Sequence, residues 1–173
     1  VMDPHHPFDR SLLRQRRNRA ATAHDSHDFL LAEVTDRLLD RLDDIKRPFA
    51  EILDLGCHSG QAGKFMAARP DTRLLIQSDL SQNLAGLARH SNSLPTIVAD
   101  EEALPFADES FDLIFSALTL HNINDLPGTL VQANRCLRPD GVFLAAMFGG
   151  QTLVANTVRD LSIGKGVAFA DRG

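Results

Sequence analysis

The ten residues from Glu51 to Gly60 constrain the fold more than any other part of the chain. They read EILDLGCHSG, in which a short apolar stretch and an acid lead into a loop bounded by Gly56 and Gly60. A helix-like segment follows over 61–69. A strand, a glycine-containing loop and a helix in this order form a nucleotide-type cofactor site in open α/β sheets. Glycine allows the backbone to approach a ligand, and the N–H groups at the start of the helix favour an anionic group.

Strand-like and helix-like segments alternate after this loop. Two helices are expected first, over 8–23 and 28–45, the second with leucine and valine at every fourth position. The predicted strands cover 49–55, 72–77, 96–99, 111–117 and 142–148, and the helices between them cover 61–69, 82–90 and 126–137. This alternation predicts a mostly parallel sheet with helices on both faces.

The C-terminal part of the sequence predicts a turn and one further helix. Pro139-Asp140-Gly141 is a turn signal before the fifth strand, and 152–161 is expected to be helical. The fold class is therefore α/β, a Rossmann-like doubly wound sheet that ends early at its C-terminal side. We divide the chain into N-terminal leader and cap helices (1–47), a cofactor-binding domain (48–162) and a tail (163–173).

Composition limits the kind of protein this chain can be. With 173 residues, 43% of them hydrophobic and 24% charged, it is expected to form one soluble globular domain. A net charge of −5 argues against a general nucleic-acid binder. The sequence holds no apolar stretch long enough to span a membrane, and its two cysteines suggest no disulfide framework, which favours a reducing compartment.

The first twenty residues are basic in spite of the negative net charge. This segment is either a solvated helix face or an arm that touches an acidic partner or the carboxylate of a cofactor. Five arginines make it basic: Arg10, Arg14, Arg16, Arg17 and Arg19.

The residues of the loop indicate which cofactor the site can bind. A dinucleotide fingerprint requires G-x-G-x-x-G, but His58 and Gln61 stand at its second and third glycine positions. The second glycine lets the backbone approach a pyrophosphate, so NAD and FAD are disfavoured. S-adenosyl-L-methionine fits better, because it has no pyrophosphate and carries a carboxylate, an ammonium group, a ribose and an adenine.

Three acids follow or end predicted strands, where open α/β sheets bind their ligands. Asp54 is expected near the ammonium group, or else it holds the loop. Asp79, nineteen residues after Gly60, is expected to accept from the ribose hydroxyls, although it could instead cap the next helix. Asp100 is expected to accept from the adenine amino group, or else it is a solvated loop acid.

These residues resemble the class I S-adenosylmethionine-dependent methyltransferases over about 49–148. The loop DLGCHSG, the phrase ADEEALPF with SFDLI after it, and LRPDG before the fifth strand carry the resemblance. His58 departs from it, since it replaces a glycine common in that first motif. The resemblance implies a cofactor-binding set of Asp54, Gly56, Cys57, Ser59, Gly60, Asp79, Leu80, Asp100, Glu101 and Ser116.

A narrower likeness points to the complex I assembly factor 5 family. It is carried by FDR at 8–10, ADEE at 99–102, LTLH at 118–121 with NDLP at 124–127, and AMFGG at 146–150. That family keeps the methyltransferase fold but is credited with hydroxylating an arginine of a complex I subunit. The resemblance implies a protein or small-molecule acceptor, possible contact with a complex I subunit, and a bacterial cytoplasm or mitochondrial matrix location.

The chemistry leaves three functions open: methyl transfer, arginine hydroxylation, and a non-catalytic assembly factor that keeps the pocket. For methyl transfer, His121 after the fourth strand is the candidate base, although a purely structural hydrogen bond is the alternative. A hydroxylase with non-haem iron would use two histidines and a carboxylate. The seven histidines include no His-x-Asp or His-x-Glu pair, so no bound metal is predicted.

Overall fold

The computed structural model describes residues 7–22, 28–147 and 167–169, with backbone alone for Asp28 and for the last range. Two helices come first, α1 (Arg10–Ala20) and α2 (Asp28–Asp44). A 3-10 turn, Leu120–Asn122, lies between the fourth strand and the helix that follows it. The remaining elements are β1 (Glu51–Leu55), α3 (Gln61–Ala67), β2 (Leu74–Asp79), α4 (Gln82–Asn92), β3 (Thr96–Val98), β4 (Phe111–Ala117), α5 (Leu126–Cys136), β5 (Leu137–Ala146) and β6 (Val167–Phe169).

The six strands form one sheet in the order β3-β2-β1-β4-β5-β6. Every neighbouring pair is parallel. The strand order reverses between β1 and β4, and the crevice outside the carboxyl ends at such a switch point is where α/β sheets bind ligands. The predicted Rossmann-like α/β fold is confirmed, and it brings the loop after β1 to this crevice.

Both faces of the sheet are covered by apolar side chains. Successive strand residues point to opposite faces, so Ile52 and Leu53 belong to different core clusters. Ile52 packs with Leu38 and Leu42 of α2, and all three are fully buried. On the other face, a second cluster joins β1, β4 and β5 to α5. The two predicted N-terminal helices thus differ in kind, because α2 is a core helix and α1 is not.

Most boundaries differ from the sequence prediction by a few residues, and two of these differences follow from strand pairing. β2 continues to Asp79, because residues 77–79 pair with β3. Pro139-Asp140-Gly141 does not form a separate turn, since it lies within β5. Phe111 pairs with Leu137 and Leu113 pairs with Val142, so residues 138–141 bulge opposite Asp112.

The C-terminal residues that the structure describes add a strand. β6 pairs with residues 143–145 of β5, although the sequence places 167–169 in a tail. An edge strand offers unpaired N–H and C=O groups, which a short apolar segment such as Val167–Phe169 can satisfy. The helix predicted over 152–161 lies outside the described residues.

Candidate cofactor site

The loop after β1 depends on two glycines with left-handed backbone. Gly56 has φ +71°, and a Cβ there would lie 2.2 Å from Thr119 Oγ1. Gly60 has φ +85°, and its Cβ would lie 2.8 Å from Asn92 Nδ2 and Gln77 Oε1. The N–H groups of Gly56 and Cys57 both donate to the Ser78 carbonyl at 2.8 Å. Only glycine fits these positions, because backbone and side chains of neighbouring elements approach so closely.

His58 ties the loop to β4, although it stands where the first motif commonly has glycine. Its backbone is left-handed, with φ +50°. Its Nε2 lies 2.8 Å from the Ala117 carbonyl oxygen and 3.3 Å from Thr119 Oγ1. Because a carbonyl only accepts, Nε2 carries the proton and donates to Ala117. Burial lowers the pKa of His58, which keeps the ring neutral.

Asp79 is fully buried at the end of β2 and binds the loop. Its Oδ2 accepts from the His58 N–H at 3.0 Å, and its Oδ1 accepts from the Ser81 N–H at 2.8 Å. Arg17 Nη1 lies 3.5 Å from the same Oδ1. Asp79 does not cap α4, since the Ser81 hydroxyl accepts from the Leu84 N–H at the start of that helix. Of the two roles left open by the sequence, the helix cap therefore belongs to Ser81.

The acids after β3 meet arginines of α1. Glu101 is 1% exposed, contacts Arg17 Nη1 at 3.1 Å and also binds Arg10. Asp100 accepts from Arg10 and from the Glu102 N–H. Burial works against ionisation of Asp100, but these hydrogen bonds outweigh it, so its pKa lies below the ordinary value. Asp100 is thus a bound carboxylate and not a solvated loop acid.

α1 crosses these acids and is held at both ends. At its start, Phe8 and Asn124 exchange two hydrogen bonds, of 2.8 and 3.0 Å. Near its end, Asn18 Oδ1 accepts from the Ser81 hydroxyl at 2.6 Å. Arg17 is buried, whereas Arg14, Arg16 and Arg19 are exposed. The basic segment is thus partly a solvated face and partly an arm whose acidic partners belong to the chain itself.

Asp54 and Ser116 lie next to each other in the sheet but not on the same face. Asp54 pairs with Phe115, so the neighbouring Ser116 points to the other side. Asp54 Oδ2 and Ser116 Oγ are buried and have no hydrogen-bond partner among the described residues. Burial, and then the charge of Asp79, raises the pKa of Asp54 to about 8. Asp54 is therefore protonated at neutral pH in the cofactor-free protein.

The remaining predicted residues surround the same loop. Leu80 is fully buried and Cys57 is 4% exposed. Burial raises the pKa of the Cys57 thiol well above its ordinary value, so the thiol is unreactive. The Ser59 carbonyl accepts from the Ser91 hydroxyl at 3.2 Å, which joins the loop to α4. His121 lies in the 3-10 turn after β4, and burial followed by the charge of Arg17 lowers its pKa to about 4.

The site also contains three residues that the predicted binding set lacks: Thr119, and Arg10 and Arg17, which the sequence placed only in a basic segment with two possible roles. Thr119 packs over Gly56 and donates to its carbonyl at 3.2 Å. Arg10 and Arg17 are seven residues apart, which places them on one face of a helix. This spacing, together with acids at the end of β2 and after β3, is the sequence pattern that could have indicated the two arginines.

A separate groove of about 780 Å³ opens between α2, the start of α3 and the end of α4. Ser59 and Gly60 of the loop form one wall, and Thr35, Lys64 and His90 contribute to the others. Asp79 and Asp100 are not among its lining residues. This groove therefore differs from the crevice at the strand ends where the acids gather.

Residues 53–145, more than half of the chain, match a family model described as a methyltransferase domain. The chain belongs to this methyltransferase-domain family. The loop, Asp79 and the acids after β3 all lie within the matched range.

Two groups of relatives are similar over most of the chain. The mitochondrial arginine-hydroxylase NDUFAF5 of Danio rerio is 41% identical over 150 residues, which is 84% of this chain and 46% of that protein. The Homo sapiens protein is 42% identical, again over 84% of this chain and over 43% of its own length. Malonyl-[acyl-carrier protein] O-methyltransferase of Gallionella capsiferriformans is 33% identical over 84% of this chain and 54% of that protein. The chain thus spans about half the length of the relatives it matches.

Solved structures share the fold. A methyltransferase in complex with the Haloferax volcanii Trm112 methyltransferase activator matches with a TM-score of 0.65 at 25% identity, over 80% of this chain and 59% of that one. Haemonchus contortus phosphoethanolamine N-methyltransferase 1, solved with S-adenosylhomocysteine, matches with a TM-score of 0.65 at 18% identity, over 76% and 30% of the two chains. The methyltransferase architecture predicted from the sequence is confirmed.

Two further observations concern only the described parts of the chain. None of the helices there combines the length and apolarity needed to cross a bilayer. No group of three or more histidine, cysteine, aspartate or glutamate side chains in those ranges is arranged to hold a metal ion.

Proposed function

We propose that this chain binds S-adenosyl-L-methionine at the carboxyl ends of β1, β2 and β3 and acts as a methyltransferase-like protein. The observation that carries the proposal is a set of carboxylates beside a glycine loop at the switch point of the sheet. Asp79 ends β2 and is fully buried, and Asp100 and Glu101 follow the neighbouring β3. Membership of the methyltransferase-domain family and the likeness to a protein solved with S-adenosylhomocysteine support it.

The hydrogen-bond acceptors of the site fit the chemistry of that cofactor. In our proposal Asp79 accepts from the ribose hydroxyls, and Asp100 or Glu101 accepts from the adenine amino group. Because β2 and β3 are adjacent parallel strands, Asp79 and the acids after β3 lie at the same edge of the sheet, where they can reach different parts of one nucleoside. Asp54 offers a buried carboxyl oxygen that has no partner among the described residues and can accept a hydrogen bond from the ammonium group.

When bound, S-adenosyl-L-methionine supplies an activated methyl group for transfer to a nucleophile. This chain contributes the alignment of that group with the acceptor, which accounts for much of the rate of such displacements. A pKa of about 4 makes His121 a weak base at neutral pH. We therefore assign it the orientation of the acceptor through a hydrogen bond, and not the main role in proton removal.

The acceptor we propose is a protein or small molecule linked to the assembly of respiratory complex I, in a mitochondrial matrix or a bacterial cytoplasm. The support is the 41–42% identity to NDUFAF5 over 84% of the chain. The two free, buried cysteines are consistent with a reducing compartment.

Arginine hydroxylation on the same fold is a second candidate. It is favoured by the same relatives, whose name is arginine-hydroxylase. A non-catalytic assembly factor is a third candidate, favoured by the pairing of the cofactor acids with Arg10 and Arg17. Mass spectrometry of a complex I subunit peptide separates all three when the peptide is incubated in parallel with S-adenosyl-L-methionine and with molecular oxygen plus a reductant. Gain of one methyl group, gain of one oxygen atom, and no change correspond to the three functions in turn.

Calorimetry tests the cofactor site itself. S-adenosylhomocysteine should bind and NADH should not. Asp79→Asn should weaken binding of S-adenosylhomocysteine about 10- to 100-fold, because hydrogen bonds to a charged acceptor are worth about 1.5–3 kcal/mol. Asp71→Asn removes an equal charge from an exposed position and should bind as the unaltered chain does. Equal affinity in both variants, with the fold retained by circular dichroism, would refute the role of Asp79.

A further inference from the structure

The acceptors expected to hold the cofactor's nucleoside are occupied by the chain itself. Asp79 Oδ1 already accepts from the Ser81 N–H and lies 3.5 Å from Arg17 Nη1. A carboxylate oxygen has two lone pairs, so this oxygen is full while Arg17 stays in place. Asp79 Oδ2 accepts from the His58 N–H, which leaves it one position. A pair of ribose hydroxyls therefore needs the position that Arg17 holds.

The acids after β3 are occupied in the same way. Arg10 binds Asp100 and Glu101 together, and Arg17 binds Glu101 at 3.1 Å. Arg10 also donates to the Asn122 carbonyl at 3.1 Å. Both arginines come from one face of α1, so movement of a single helix would free all the acids.

α1 is attached in a way that suits release. Among Arg10–Ala20, the one buried residue is Arg17, and Leu12 is 39% exposed. The helix is held by ion pairs and by hydrogen bonds at its two ends, where the Phe8 N–H donates to Asn124 and the Ser81 hydroxyl donates to Asn18. It therefore loses little apolar burial when it leaves, and its ion pairs can be exchanged for hydrogen bonds to a ligand.

We propose that α1 is an internal competitor of the cofactor, in which Arg17 and Arg10 hold Asp79, Asp100 and Glu101 until a nucleoside replaces them. This inference rests on the proposed function, since it assumes that these acids receive the nucleoside. Its consequence is that only the fraction of molecules with α1 displaced can bind. The apparent dissociation constant then exceeds the intrinsic one by the reciprocal of that fraction.

Calorimetric titration with S-adenosylhomocysteine tests the competition through affinity and not through activity. Arg17→Gln keeps a long polar side chain but removes the ion pairs, and it should tighten binding about tenfold, as a 10% displaced fraction would require. Arg10→Gln should act in the same direction. Arg16→Gln removes the same charge from an exposed position of the same helix and should leave the affinity unchanged.

Hydrogen exchange gives a second readout on the unaltered chain. The competitor model predicts that saturation with S-adenosylhomocysteine speeds exchange of the amides of α1, because the helix is displaced. A helix that simply closes over the ligand would instead exchange more slowly. Added salt should tighten binding to the unaltered chain more than to Arg17→Gln, because salt weakens the partly exposed pairs of Arg10 and the anchoring of α1.

The outcomes separate this inference from the proposed function. If the unaltered chain binds S-adenosylhomocysteine and Arg17→Gln binds equally or more weakly, the competition is refuted and the cofactor site stands. Slower exchange of α1 on loading would refute it as well. If neither the unaltered chain nor the variants bind, both proposals fail. Should Arg17→Gln not fold, Arg10→Gln decides alone, since its partner Asp100 is 26% exposed and can be solvated.

Discussion

Replacement of Gly56 by alanine is the perturbation whose effect the structure specifies best. Gly56 begins the loop after β1 with φ +71°, a conformation that non-glycine residues rarely adopt. A Cβ there would lie 2.2 Å from Thr119 Oγ1 and 2.4 Å from Thr119 Cγ2. Thr119 is fully buried just after β4, so it has little room to move. The substitution therefore adds backbone strain and overpacking together.

The magnitude follows from these two effects. Left-handed backbone costs a residue with a Cβ roughly 1–2 kcal/mol. Forcing an extra carbon into a packed site costs roughly 1–3 kcal/mol. Gly56→Ala should therefore lower the free energy of unfolding by about 2–5 kcal/mol. With Thr119→Gly added, the overpacking disappears, and relative to Thr119→Gly alone the loss should fall to about 1–2 kcal/mol.

Urea denaturation followed by circular dichroism measures this loss, and Gly86→Ala provides the matched control. Gly86 lies within α4, and a Cβ there would meet nothing within 4 Å. Because alanine is favoured over glycine inside a helix, Gly86→Ala should raise the free energy of unfolding by up to about 1 kcal/mol. If Gly56→Ala were as stable as the unaltered chain, the reasoning about the loop would be refuted.

Three titration and reactivity predictions follow from buried groups. Folding raises the pKa of Asp54 to about 8, so its contribution to stability is complete at low pH and is lost as pH rises toward that value. In urea denaturation, the free energy of unfolding should fall by up to about 1.4 kcal/mol per pH unit between pH 6 and 8. The variant Asp54→Asn should not show this fall. His121, with its pKa lowered to about 4, contributes stability above the ordinary histidine pKa that is lost as pH falls from about 6.5 to 4. Its imidazole NMR signals should stay unchanged from pH 8 to 6, and titration in that range would contradict the burial argument. The Cys57 thiol should react with iodoacetamide only when the chain unfolds, whereas rapid labelling of the native protein would show that its burial is not maintained.

Much of the sheet could be predicted because its strands carry strong local patterns. The predicted bounds of β4, 111–117, agree with the structure. This strand is buried at every position, and its sequence is mostly apolar, as expected for a strand covered on both faces. The loop after β1 could be predicted from the spacing of Gly56 and Gly60 in the same way. The predicted start of α1, Phe8, lies two residues before the observed start, Arg10. Asp9 is a recognisable helix cap that marks the true start, since its side chain accepts from the Leu12 N–H.

Tertiary contacts explain what the sequence did not reveal. Pro139-Asp140-Gly141 favours a turn locally, but pairing with β4 on both sides keeps it inside β5 as a bulge. The site predicted from the sequence does not include Arg10 and Arg17, because their acidic partners lie 62–91 residues away along the chain. Local periodicity does not report contacts over such separations, so the residues of the site were predictable individually but their pairing was not.

The proposed cofactor site and the competition by α1 both require Asp79 and Asp100 to receive the nucleoside of the cofactor. A crystal structure with S-adenosylhomocysteine measures this directly through the distance from each carboxylate to the ligand. We predict ribose hydroxyls within about 3 Å of Asp79, the adenine amino group within hydrogen-bonding distance of Asp100 or Glu101, and Arg17 withdrawn from Asp79. A ligand bound elsewhere, with Arg17 still paired to Asp79, would contradict the account.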